Sequence, residues 1–125
     1  MPFIRVSFGR NIKFRQGFHL ELGGLVEEAV YAVDALTLDK GDVTVLCGKD
    51  LHVVGHPNEV IVHVSGLLAI RGRTTAVVEA LIKRLQAKVG EFLLKEGCGA
   101  EILKVLVDPL APEAYFSQTK ISTPA

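Results

Sequence analysis

At 125 residues the chain has the length of one ordinary domain, enough for a small hydrophobic core that association between copies would extend. Fourteen basic residues balance fourteen acidic ones, so overall charge offers no long-range attraction to nucleic acid or to an anionic membrane, and any anion site must be local. Val60 to Ala69 is interrupted by His63 and falls short of a membrane span, no basic-then-apolar leader opens the chain, and Cys47 and Cys98 lack metal-motif spacing, so a soluble, cytoplasmic protein with reduced thiols is expected.

After Met1-Pro2, the residues Ile4, Val6 and Phe8 alternate with Arg5 and Ser7, which predicts a strand with one buried face. Proline suits the first residue of a strand because it has no N–H to donate. It also raises a second reading: if Met1 is removed, Pro2 presents a rigid terminal secondary amine that can act as a base. Gly9 and the basic stretch Arg10 to Arg15 end the strand. Leu22, Leu25, Val26, Ala29, Val30 and Val33 recur at three-to-four-residue spacing, predicting a helix over about residues 18–36, although Gly23-Gly24 weakens its first turns. Val43, Val45 and Cys47 alternate as a second strand, and Gly48 to Glu59 reads as a loop or short hairpin around His56-Pro57-Asn58.

The order then repeats. Val60 to Val64 is rich in β-branched residues and reads as a strand covered on both faces. Thr74 is the expected N-cap of a long helix whose stripe runs from Val77 to Leu93, and Lys95-Glu96-Gly97-Cys98-Gly99 supplies its C-terminal stop, glycine suiting the left-handed cap. Ile102 to Val107 forms the last predicted strand, and Asp108 to Pro112 turns the chain away. The expected architecture is α+β: duplicated β-α-β units give a four-stranded sheet with both helices on one face, in one domain over residues 1–116. Residues 117–125 read as a polar tail, loosely held unless a neighbouring subunit orders it. The uncovered sheet face stays partly apolar, which favours sheet-to-sheet or trimeric association.

These residues and their order resemble the tautomerase superfamily, in particular its 5-carboxymethyl-2-hydroxymuconate isomerase-like branch of single-domain trimers. Met1-Pro2 before an alternating strand, the repeated β-α-β order and the Gly72-Arg73-Thr74 turn into the second helix carry the likeness, which spans residue 2 to about 116. The resemblance implies a homotrimeric, MIF-like architecture without metal or organic cofactor. It also implies Pro2 as general base and then acid in moving a proton between carbon and oxygen of a small anionic enol or unsaturated keto acid. A free α-amine titrates at about 8, and removal from water beside cations disfavours its protonated form. Arg73, just before a helix N-terminus, becomes the carboxylate anchor, with Arg71 and Lys40 as auxiliaries. The branch has a further arginine at the start of the second strand, where this chain has Lys40-Gly41-Asp42. Lysine keeps the charge without the bidentate fork, and Asp42 would repel a dicarboxylate.

Other candidates have plainer readings. Arg5, Arg10, Lys13 and Arg15 suit a solvated basic region, or a neighbour's pocket in a trimer. Phe8, Phe14 and Phe18 read as packing residues rather than a base-stacking surface. His52, His56 and His63 lack compact ligand spacing, and Ser7, Ser65 and Ser117 lack a nucleophile-elbow context. Tyr115 and Phe116 fit packing, a pocket wall or an interface. Two rivals to the enzyme stay open: a non-catalytic trimer of the same fold, and a ferredoxin-like regulatory domain that binds a small ligand in its loops.

Overall fold

The computed structural model describes residues 3–33, 36, 38, 41–51, 56–67, 74–109 and 115–121. Pro2, Lys40, His52, Arg71 and Arg73 lie outside them. The elements in chain order are β1 (Phe3–Phe8), α1 (Phe18–Tyr31), β2 (Thr44–Leu51), β3 (Glu59–Leu67), α2 (Thr75–Glu96), β4 (Ile102–Pro109) and β5 (Tyr115–Lys120). They form one five-stranded mixed sheet in the order β2-β1-β3-β4-β5. β1 runs parallel to β2 and β3 parallel to β4, while β1 and β3 meet antiparallel at the centre. Each β-α-β unit therefore keeps its two parallel strands adjacent, unlike the split units of a ferredoxin-like sheet.

Period-two patterning decides which sheet face the helices cover. Ile4, Val6 and Phe8 pair with Val64, Val62 and Val60, which pair in turn with Val107, Val105 and Leu103, and all nine side chains are buried. α1 adds Phe18, Leu22, Val26, Ala29 and Val30 to this core, and α2 adds the regular stripe Val78, Leu81, Ile82, Leu85, Val89 and Leu93. Complete burial of one such side chain is worth about 1.5–3 kcal/mol. Thr74 caps α2 as expected, its hydroxyl oxygen accepting from the Val77 N–H at 3.4 Å, and Gly97 ends the helix at φ 61°. Both cysteines are free thiols, with Cys98 in the core. Among the described residues no helix is long and apolar enough to cross a membrane.

Several expectations need correction. The first helix stops at Tyr31, and the chain continues through tight turns in which the Val33 N–H donates to the Val30 carbonyl and the Leu36 N–H to the Val33 carbonyl. Three-residue spacing of Val30, Val33 and Leu36 thus served successive turns rather than a longer helix. Gly48 to Leu51 extend β2 instead of opening a loop, and Glu59 already belongs to β3. β3 is covered on one face only, since Ile61, His63 and Ser65 are half-exposed. A fifth strand crosses the expected domain boundary: residues 117–120 are not a loose tail but pair with β4, and Ile121 is buried with its N–H donating to the Glu101 carbonyl at 2.6 Å. The polarity of Ser117, Gln118 and Thr119 concealed a strand held largely by backbone hydrogen bonds on the sheet's edge.

Candidate functional site

The described neighbours of the candidate residues meet at one end of the sheet. Phe3, which follows Pro2 in the chain, pairs with Thr44 on one side and Ser65 on the other. β2 and β3 flank β1 at about 5 Å each, so these three residues span about 10 Å, the scale of a small-molecule site. Lys40 precedes Gly41, at the approach to β2. Arg71 and Arg73 occupy the connection between Leu67, which ends β3, and Thr74, which caps α2. α2 has 22 residues and is therefore about 33 Å long. Its far end is bound to the opposite end of the sheet through the Lys13 N–H and the Cys98 carbonyl, which places its capped N-terminus at the end where β1 begins.

Two contacts at this end were not foreseen. Tyr31, the last residue of α1, accepts the Gly41 N–H at 2.8 Å and the Val43 N–H at 3.3 Å on its hydroxyl oxygen, bracing the entry to β2 next to Lys40. Gly41 sits at φ 95°, a conformation glycine adopts without steric cost. The Ser65 hydroxyl donates to the Phe3 carbonyl at 3.2 Å. A tyrosine ending an amphipathic helix and a serine in a β-branched strand carry no sequence signal of their own, because each acts on backbone brought near by folding.

The basic loop lies elsewhere. β1 is six residues long, which puts Gly9 and the following loop about 20 Å from Phe3. Arg15 is drawn into ion pairs with Glu21 at 2.6 Å and Glu96 at 2.5 Å, and hydrogen bonding to Glu21, then Glu96, raises its already high pKa further. It links the start of α1 to the end of α2. Phe8, Phe14 and Phe18 form an edge-packed cluster with ring centroids 4.9–5.8 Å apart, the packing role expected for them. His56 accepts the Asn58 N–H on Nδ1 and lies 3.9 Å from Glu101, so it organises its own turn. Burial pushes the Cys47 thiol up to about 11, which keeps it protonated and poorly nucleophilic at neutral pH.

The uncovered face is mixed in character. Arg5 pairs with Leu46 and with His63, and His63 with Leu106. Phe3 and Leu46 are 36% and 44% exposed there. One ion pair, Lys104 to the buried Glu59 at 2.8 Å, interrupts the apolar surface.

Solved structures with the same arrangement include a member of the cis-3-chloroacrylic acid dehalogenase family, at TM-score 0.64 and 17% identity over 89% of this chain and 76% of that one. The chain has the tautomerase fold. A fused 4-OT symmetric trimer shares this tautomerase fold at TM-score 0.60 and 20% identity, covering 86% of this chain and 85% of its own. A 5-carboxymethyl-2-hydroxymuconate isomerase from Deinococcus radiodurans R1 aligns at TM-score 0.54 and 15% identity, covering 86% and 80%. No protein-family model and no curated protein sequence matches the chain.

Proposed function

We propose that this protein is a tautomerase or isomerase that moves a proton within a small anionic enol or unsaturated keto acid, using Pro2 as the base once Met1 has been removed. The reading is carried by one observation: in a tautomerase fold, the residue after Pro2 lies in register between the entry to β2 and the end of β3, where the segments bearing Lys40, Arg71 and Arg73 attach. The Pro2 nitrogen takes the enol O–H or a C–H proton, forming a secondary ammonium, and returns a proton to the other end of the conjugated system, so no electrons leave the substrate. Arg73 holds the carboxylate, assisted by the N–H groups of the first turn of α2, while Arg71 and Lys40 add positive charge that disfavours protonation of the amine. The working unit is a homotrimer whose subunits cover one another's exposed sheet faces, which would shelter Phe3 and Leu46; the fused 4-OT trimer supports this assembly by analogy.

Intact mass and turnover test the reading together. Untagged protein is expected to lack Met1 and to ketonise phenylenolpyruvate or 2-hydroxymuconate. Pro2→Ala should lower kcat at least a hundredfold, and Arg73→Ala should raise KM about tenfold or more, the loss of one charge-assisted contact. Retained Met1 together with absent turnover would sink the reading.

The non-catalytic trimer is the second reading, favoured by Lys40 and the half-buried Asp42 at the entry to β2. Retained Met1 would support it, because the nitrogen of a peptide-bound proline is neither basic nor nucleophilic.

A further inference from the structure

The same end of the sheet contains a device that neither the proline nor the arginines account for. Ser65 makes the last pairing of β3 with β1, opposite Phe3. On its other side the register between β3 and β4 slips: Val64 pairs with Val107 and Leu67 with Pro109, so Ser65 and Gly66 together face the single residue Asp108. Gly66 takes φ 73°, which a side chain would resist. An extra residue of this kind bends and twists its strand and re-aims the side chain beside it. Beside this bulge, the Ser65 hydroxyl donates to the Phe3 carbonyl at 3.2 Å.

We propose that Ser65 is a positioning residue for the terminal amine of Pro2, fixing the first peptide of β1 so that the amine meets its substrate in reactive geometry. The inference rests on the tautomerase reading above. The Phe3 carbonyl belongs to the Phe3–Ile4 peptide, so only a few backbone torsions separate the pinned group from the proline nitrogen. First residues of strands fray unless something holds them, and Phe3 is itself 36% exposed. Proton transfer needs the reacting atoms about 3–3.5 Å apart, a tolerance that fraying destroys. Carboxylate binding by arginines on other segments is untouched by it. Loss of the hydroxyl therefore acts on the chemical step and spares binding.

Ser65→Ala and Ser65→Thr, made in the full chain, separate this role from a general structural one. Ser65→Ala is expected to lower kcat about five- to tenfold, the equivalent of one modest hydrogen bond, with KM within about twofold of wild type. Ser65→Thr, which restores a hydroxyl, should recover most of the loss. A parallel measurement does not depend on turnover: the ¹⁵N order parameter of the Ile4 amide should fall from the rigid value of about 0.85 toward the flexible range in Ser65→Ala, but not in Ser65→Thr. Active wild-type protein with unchanged kcat in Ser65→Ala would overturn the positioning role alone. An unchanged Ile4 order parameter would overturn the pinning itself. Inactive wild-type protein lacking Met1 would overturn the tautomerase reading and the catalytic role with it.

Discussion

Replacing Tyr31 with phenylalanine removes one oxygen and leaves two N–H groups without their acceptor. The two losses are unequal. The Gly41 N–H, bonded at 2.8 Å, is solvent-exposed, so water replaces the phenol and little stability is lost. The Val43 N–H, bonded at 3.3 Å, is half-buried beneath a valine that is itself in the core, and an unsatisfied buried donor costs about 1–3 kcal/mol. The longer distance and partial access place the sum at the lower end, about 1–2 kcal/mol. With a urea dependence of about 1–3 kcal/mol/M for a small domain, the unfolding midpoint should drop by about 0.5–1 M at fixed protein concentration, with an unchanged slope. Hydrogen exchange at Val43 should accelerate while exchange at Val62, in the central strand β3, follows only the global change. Because the brace lies next to Lys40, KM for the anionic substrate should rise two- to fivefold in the same variant, if Lys40 contributes charge to the site. An unchanged midpoint together with unchanged Val43 exchange would refute the claim that Tyr31 holds the entry to β2.

A chain ended after Phe116 should lose at least 10 °C in melting temperature and expose apolar surface to a hydrophobic dye, because it removes most of β5 and the buried Ile121; a chain that melts like the full-length protein would show that residues 117–121 are dispensable. Gly9→Ala should be destabilised by about 2–3 kcal/mol in chemical denaturation, since a Cβ there would lie 2.4 Å from the Pro57 carbonyl oxygen, and a loss below about 0.5 kcal/mol would mean the turn yields freely. Cys47 should alkylate on the order of a hundredfold more slowly than an unhindered thiol at pH 8 and speed up toward pH 11. Its raised folded-state pKa contributes stability below about pH 9, where both states hold the proton, and that contribution is lost as pH rises toward 11, because the unfolded thiol ionises first. Fast labelling of native protein at pH 8 would contradict this.

What was legible in the sequence depended on whether the signal was local. Alternation in Ile4–Val6–Phe8, the α2 stripe, the Thr74 cap and a glycine stop within Lys95 to Gly99 are all set within a few residues of themselves, and each emerged as read, the stop falling at Gly97. The duplicated order led to the right pairing of parallel strands because adjacent β-α-β strands are the common outcome of such connections. β5 was missed because an edge strand needs only backbone groups and one neighbour, so polar side chains there leave no period-two trace. The run Val60 to Val64 suggested burial on both faces, yet Ile61 and His63 point to the uncovered face; β-branched content marks a strand without saying what lies over it. Arg15 could not be assigned because its partners Glu21 and Glu96 belong to two helices whose meeting is a tertiary event. Tyr31 and Ser65 were hidden for the same reason, each bonding backbone far away in the sequence.

The geometry at the start of β1 serves a catalyst and a binding protein equally well, so the difference between them is chemical rather than architectural. With Met1 attached, the lone pair of the Pro2 nitrogen is delocalised into an amide, and no arrangement of cations can make it a base. With Met1 removed, the same atom becomes an amine at the end of a strand held on both sides by Thr44 and Ser65. The cations proposed around it then favour its neutral form and also attract an anionic substrate, so the two effects reinforce each other. Lys40, proposed as an auxiliary there, would weaken orientation more than attraction relative to a forked arginine. If the proposed site is right, an active enzyme should therefore prefer a monocarboxylate, which Arg73 would orient alone, over a dicarboxylate that needs a second fork. Competition between phenylenolpyruvate and 2-hydroxymuconate measures this directly: kcat/KM at least tenfold higher for phenylenolpyruvate fits the argument, and equal or reversed values would show that Lys40 and Arg71 orient a second carboxylate as well as an arginine would.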